Sequence, residues 1–150
     1  MPEIYVDADG CPVKQEVYRV AERCGLKVTL VANSVMRTPR KDWLRLVVVD
    51  DQFDAADDWI FEHVDEDDIV ITGDIPLASR CLGKGARVIG PKGRIFAVDS
   101  IGDALADREL MSHLREIGIG AGGPAPITRR DRSRFLQRLD ETIQSVKRGK

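Results

Sequence analysis

The chain has 150 residues, 43% of them hydrophobic and 32% charged, which suits a single soluble domain with a core of its own. No stretch approaches the ~18 apolar residues of a membrane helix, and the opening MPEIYVDADG lacks the basic and apolar regions of a signal peptide. Net charge is −2, but it is unevenly spread: residues 128–150 carry eight Lys/Arg against three Asp/Glu, whereas residues 42–74 carry twelve Asp/Glu against one Arg. An acidic body with a basic tail still admits nucleic acid if metal ions neutralise the acids.

In chain order, Ile4-Tyr5-Val6 reads as a strand that runs into Asp7-Ala8-Asp9-Gly10. A helix follows, with Pro12 in its first turn, Val13, Val17, Val20, Ala21 and Cys24 on one face, and Gly25 at its end. Lys27 to Ala32 is the second strand. A polar loop with Arg37, Arg40 and Lys41 leads to the third, Leu46 to Val49, whose β-branched run predicts burial on both faces. Asp50 and Asp51 close that strand. Asp54 to Val64 reads as a helix with Asp54 as its N-cap. Ile69 to Thr72 is the fourth strand, and Asp74 caps the helix after it. Ala86 to Ile89 and Ile95 to Val98 are the fifth and sixth strands. Two helices, about 101–106 and 108–117, precede a Gly/Pro loop. The last helix opens at Thr128 with Asp131 in a capping box and presents Phe135, Leu139, Ile143 and Val146 as an apolar stripe.

Strand–helix alternation predicts an α/β three-layer sandwich with a mostly parallel sheet, plus C-terminal helices. Sites in such sheets form beyond the carboxyl ends of the strands, and here those ends carry Asp7 and Asp9, Asp50 and Asp51, and Asp74. Residues two apart in extended chain face the same way, so Asp7 and Asp9 repel unless a cation lies between them. Oxygen ligands suit Mg²⁺ or Mn²⁺. The ordinary alternative is a solvated turn, and for Asp74 a plain N-cap. Asp54 shares a helix face with Asp57 and Asp58, which the helix dipole alone would also favour. Arg37, Arg40, Lys41 and the arginines of the last helix are either a phosphate-binding set or a solvated surface.

Three other signals are weak. Cys11, Cys24 and Cys81 are an odd count with no CxxC pair, which fits reduced thiols in a cytoplasmic protein, and with two histidines a zinc site has poor ligand spacing. Residues 118–123 match G-x-G-x-x-G, but after a helix and before Pro124, the wrong context for a dinucleotide. No base is visibly linked to Cys11, so a buried thiol is the better reading than a nucleophile.

Five blocks carry a resemblance: VDADGCPVK (6–14), DAADDWI (54–60), DIVITGDIPLA (68–78), GGP (122–124) and DRSRFLQRLD (131–140). With them the chain resembles the YaiI/YqxD family of bacterial proteins. It departs from that pattern at Ala121, where the family has Thr, and at Gly10, often Ala. The family in turn looks like a branch of the PIN-like superfamily of metal-dependent nucleases. That likeness rests on Asp7, on Asp57 and Asp58 with Asp54 nearby, and on Thr72, Asp74, Leu77 and Ala78. It implies strand order 3-2-1-4-5 and a Mg²⁺- or Mn²⁺-dependent nuclease acting on RNA or single-stranded DNA. Asp7, Asp57 and Asp74 would be catalytic and hold metal, with Asp9 and Asp54 as further metal-site groups. Asp99 is a candidate fourth acid, and Lys14, Arg130 and Arg132 are candidate nucleic-acid contacts. Aromatic content of 5% argues for backbone contact over an extended stacking platform. Two rivals stand beside this: a haloacid-dehalogenase-like phosphatase with Asp7 as nucleophile and Asp9 as acid, and a non-catalytic metal- or RNA-binding protein.

Overall fold

Alternation along strand β1 (Glu3–Asp7) sorts the first core residues to two sides. Ile4 and Val6 enter one buried cluster and Tyr5 the other. The computed structural model describes residues 2–50, 52, 54–116 and 126–149. After β1 come α1 (Lys14–Cys24), β2 (Lys27–Ala32), β3 (Leu44–Val48), α2 (Ala55–His63), β4 (Ile69–Ile71) and α3 (Ile75–Gly83). Then follow β5 (Arg87–Ile89), β6 (Ile95–Phe96), α4 (Ile101–Glu116) and α5 (Arg129–Lys147).

The strands form one sheet in the order β3-β2-β1-β4-β5-β6. All neighbours are parallel except β5 and β6, which pair antiparallel. The expected order 3-2-1-4-5 is therefore present, with β6 added at the far edge. On one face, α1 and α5 cover Ile4, Val6, Leu30, Ile69 and Ile71 through Val17, Val20, Phe135, Leu139 and Ile143. On the other, α2 and α3 cover Tyr5, Val31, Val70 and Val88 through Ile60, Leu77 and Cys81. Each fully buried aliphatic or Phe side chain contributes about 1.5–3 kcal/mol relative to exposure. These two faces make the three layers.

Several local expectations need correction. β3 begins two residues earlier than its β-branched run, and it is an edge strand: Val48 is 45% exposed, so the run is not buried on both faces. An apolar run reads the same at an edge as at a centre, because periodicity carries no information on neighbours. Pro12 precedes α1, which starts at Lys14 behind Val13. Residues 101–116 form one helix, since nothing at Asp107 breaks it: neither Pro nor Gly stands there. β6 ends at Phe96, two residues short of expectation. Gly25 does terminate α1 in the left-handed region at φ 72°, and Thr128 and Asp131 complete a reciprocal capping box on α5. The glycine run and the GGP block lie outside the described residues.

Candidate metal centre at the carboxyl ends of the strands

β1 has β2 on one side and β4 on the other, so the chain's crossovers diverge between β1 and β4. Val6 is in register with Ile71, which sets Asp7 opposite Thr72. The Thr72 hydroxyl donates to Asp7 Oδ2 at 2.9 Å and accepts from the Asp74 backbone N–H at 3.0 Å. Thr72 is 2% exposed, so this hydroxyl locks the two strand ends together away from water. Asp74 caps α3 by accepting the Leu77 N–H at 2.9 Å. Capping and facing the site are thus compatible for Asp74.

Asp9 lies beyond the strand, in a turn that Gly10 completes at φ 73°, a left-handed conformation that favours glycine. Asp9 Oδ2 accepts the Asn33 N–H at 2.7 Å, which pins the loop after β2 to the loop after β1. The carboxylates Asp7, Asp9 and Asp74 line a cleft of about 230 Å³, together with Cys11, Thr72 and Gly73.

Asp57 reaches this group from the first turn of α2. Burial pushes its carboxyl up to about 7, with repulsion from Asp74, Asp7 and Asp54 and its side-chain proximity to Asp74 adding to the rise. A carboxyl held there is part-protonated near neutrality, and in that form Asp57 can donate to Asp74. Asp7 is also raised, first by burial, with Asp74 and Asp9 contributing and the Thr72 hydroxyl opposing. Asp54 sits at the N-cap position of α2, but at φ 66° its side chain makes no capping bond, contrary to expectation. In the left-handed region the backbone turns away from the extended cap geometry, which takes the side chain off the helix N–H groups. Its charge acts on Asp57 instead.

The other acids go elsewhere. Asp58 pairs with Arg80 at 2.9 Å. Asp99 is exposed before α4 and is not among the acids acting on Asp7 or Asp57. Asp50 is exposed after β3, and Asp51 lies outside the described residues. Of the predicted cations, Lys14 donates its ammonium to the Cys11 carbonyl at 3.0 Å. Arg132 donates to the Pro12 carbonyl at 2.8 Å and pairs with Glu16 at 3.2 Å. Both therefore brace the loop that carries Asp9. Arg130 is exposed at the start of α5. Cys11 and Cys81 are buried free thiols, and burial pushes both up. Thr72, read from the sequence only as part of the block that ends in Asp74 and Ala78, proves to be the hydroxyl that joins Asp7 to the Asp74 backbone.

The donor set is all oxygen, which fits Mg²⁺ or Mn²⁺. As the side chains stand, no three Asp, Glu, His or Cys among the described residues close on one point. Holding one ion requires Asp57 to be ionised and the carboxylates to turn inward. A second polar cleft, of about 310 Å³, opens by Lys27, Thr29, Asp42 and Arg45. There Glu3 accepts from Thr29 and faces Arg45 at 3.8 Å, so its charges are balanced within the sheet.

Residues 5–145 match the family model described as "Uncharacterized BCR, YaiI/YqxD family". A UPF0178 protein of Rhodospirillum centenum is 54% identical over 154 residues, covering 100% of both chains. One of Rhodospirillum rubrum is 55% identical over 149 residues, with 99% of each chain covered. One of Rhizobium meliloti is 56% identical over 145 residues, covering 97% of this chain and 99% of its own. No solved structure is a significant match.

Proposed function

We propose that this chain, which belongs to the YaiI/YqxD family, is a PIN-like, Mg²⁺- or Mn²⁺-dependent nuclease that hydrolyses phosphodiesters in RNA or single-stranded DNA. The observation that carries this reading is the gathering of Asp7, Asp57 and Asp74 at the β1/β4 divergence, where the carboxyls of Asp7 and Asp57 are raised by burial and by neighbouring acids. A protein gains nothing in stability from gathering buried acids, so such a gathering marks a site. The strand order supports the PIN-like assignment.

Asp7, Asp57 and Asp74 would hold the ion directly, with Asp9 and Asp54 orienting water or a second ion. When bound, the ion supplies an activated water and neutralises charge on the phosphodiester. Thr72 keeps Asp7 and Asp74 at a fixed separation while that charge changes. Asp9 and Arg132 hold the loop over the cleft. Lys14 and Arg130 are the proposed phosphate contacts, acting outside the carboxylates. The phosphatase reading would use Asp7 and Asp9 but gives no work to Asp57, whose carboxyl is pushed up to about 7.

The test is cleavage of mixed RNA and single-stranded DNA with and without Mn²⁺, by the wild type and by Asp74→Asn. Asn is as good an N-cap as Asp, so α3 keeps its start. The expected outcome is metal-dependent cutting that falls about 10²–10³-fold in the variant. Equal cutting by both proteins would overturn the nuclease reading. Binding without cutting in either metal would turn it toward a non-catalytic RNA-binding protein, and phosphate trapped on Asp7 toward the phosphatase.

A further inference from the structure

The acidic cleft, at about 230 Å³, is smaller than the ~300–1,000 Å³ of small-molecule sites. Beside it lies a larger cavity of about 570 Å³, walled by Ile75, Pro91, Phe96 and Ile127 and edged by Lys92 and Arg94. Gly73 and Pro91 line both spaces, so the two are neighbours. A Cβ on Gly73 would meet Pro91 Cδ at 3.7 Å, an ordinary contact; glycine leaves this saddle low. Phe96 is only 6% exposed: the core holds it, and the Arg94 guanidinium lies over its ring, 4.9 Å from the centre, so the ring offers the cavity an apolar edge rather than an open face. The cavity thus offers apolar walls, one aromatic ring and a cationic edge, immediately next to a carboxylate cluster.

Those features match a nucleotide in parts. A base fits between apolar walls, while cations at the edge meet the phosphates on either side of it. We infer that the cavity beside Asp74 is a pocket for one unpaired nucleobase, with Ile75 and Phe96 contacting the base and Arg94 its neighbouring phosphate, which makes single-stranded nucleic acid the substrate class. This rests on the nuclease reading of the adjacent carboxylates. A base within a duplex is stacked and paired and does not enter a pocket beside its own backbone without being extruded. Low aromatic content still excludes a long stacking platform; one base between apolar walls needs none.

The test is binding of a labelled single-stranded oligothymidine, its abasic counterpart of equal length, and a duplex. Fluorescence anisotropy is read with Ca²⁺ present to neutralise the carboxylates. The wild type is expected to bind the base-bearing strand at least fivefold tighter than the abasic strand, and the duplex most weakly. Ile75→Ser should erase the base preference. Arg94→Ala, at an exposed position, should weaken both single strands at least threefold, with the melting temperature measured alongside because Arg94 also contacts Phe96. Equal binding of base-bearing and abasic strands, or no binding, would overturn the pocket. The two readings fail separately: base-selective binding with no cleavage in Mn²⁺ sinks the nuclease and leaves the pocket, whereas cleavage without base preference does the reverse.

Discussion

Asp57→Asn is expected to raise the melting temperature at pH 8 in metal-free buffer by roughly 2–8 °C while abolishing Mn²⁺-dependent cleavage. The carboxyl titrates at about 7 in the folded protein and near ~3.9 in the unfolded chain. The folded state therefore binds more protons between those values. By linkage, stability falls as pH rises through that window, and the loss is complete above the folded value. The full shift would correspond to ~4 kcal/mol, but Asp57 is partly exposed, and solvent screening reduces this to about 1–2 kcal/mol. Asn removes the charge and keeps a donor for Asp74. Below about pH 4 the two proteins should melt together, because both then carry a neutral group at this position. Thermal melts from pH 4 to 8 check this; a difference that does not grow with pH would contradict it. The same change takes one ligand from the centre, so turnover should fall by about 10²–10³-fold, and added Mn²⁺ should raise the melting temperature of the wild type only. Stability gained where function is lost is the mark of acids retained for a ligand.

Phe135→Ala should cost about 3–5 kcal/mol in urea unfolding, with an unchanged denaturant slope. Phe135 is fully buried in the cluster that joins α1, α5 and the sheet, together with Leu139 and Ile143. Removing the ring leaves a cavity that a helix braced at both ends cannot close. One brace is Arg132, which donates to the Pro12 carbonyl at 2.8 Å and pairs with Glu16, and the other is Lys147 donating to the Cys24 carbonyl at 2.8 Å. Loosened docking therefore reaches the Asp9 loop, and the temperature at which metal-dependent activity is lost should fall along with the melting temperature. A cost below ~1 kcal/mol would mean that α5 does not pack as described.

Much of this was legible in the residues. Short apolar runs located every strand and period-3.6 patterns most helices, since a sheet covered on both faces buries successive residues and a helix buries one stripe. The acids at strand ends announced their own cluster, because a parallel sheet puts all its carboxyl ends on one edge. What the pattern could not give was neighbourhood. The β3 run looks central and lies at the edge. Asp57 and Asp58 are adjacent in sequence, yet one turns to Asp74 and the other to Arg80. Arg132, on a basic helix face, pairs with Glu16, 116 residues away. Thr72 gains its role from the register of β1 against β4, which is a property of the sheet and not of either segment.

The central claim is that Asp7, Asp57 and Asp74 form one divalent-cation site. Calorimetric titration of Mn²⁺ into the wild type and Asp7→Asn, near pH 7 and in two buffers of different ionisation heat, tests it most directly. The expected result is one ion bound by the wild type with release of protons, as Asp57, raised to about 7, ionises to take the metal, and at least tenfold weaker binding by the variant. Equal binding by both proteins, or none by the wild type, would contradict it.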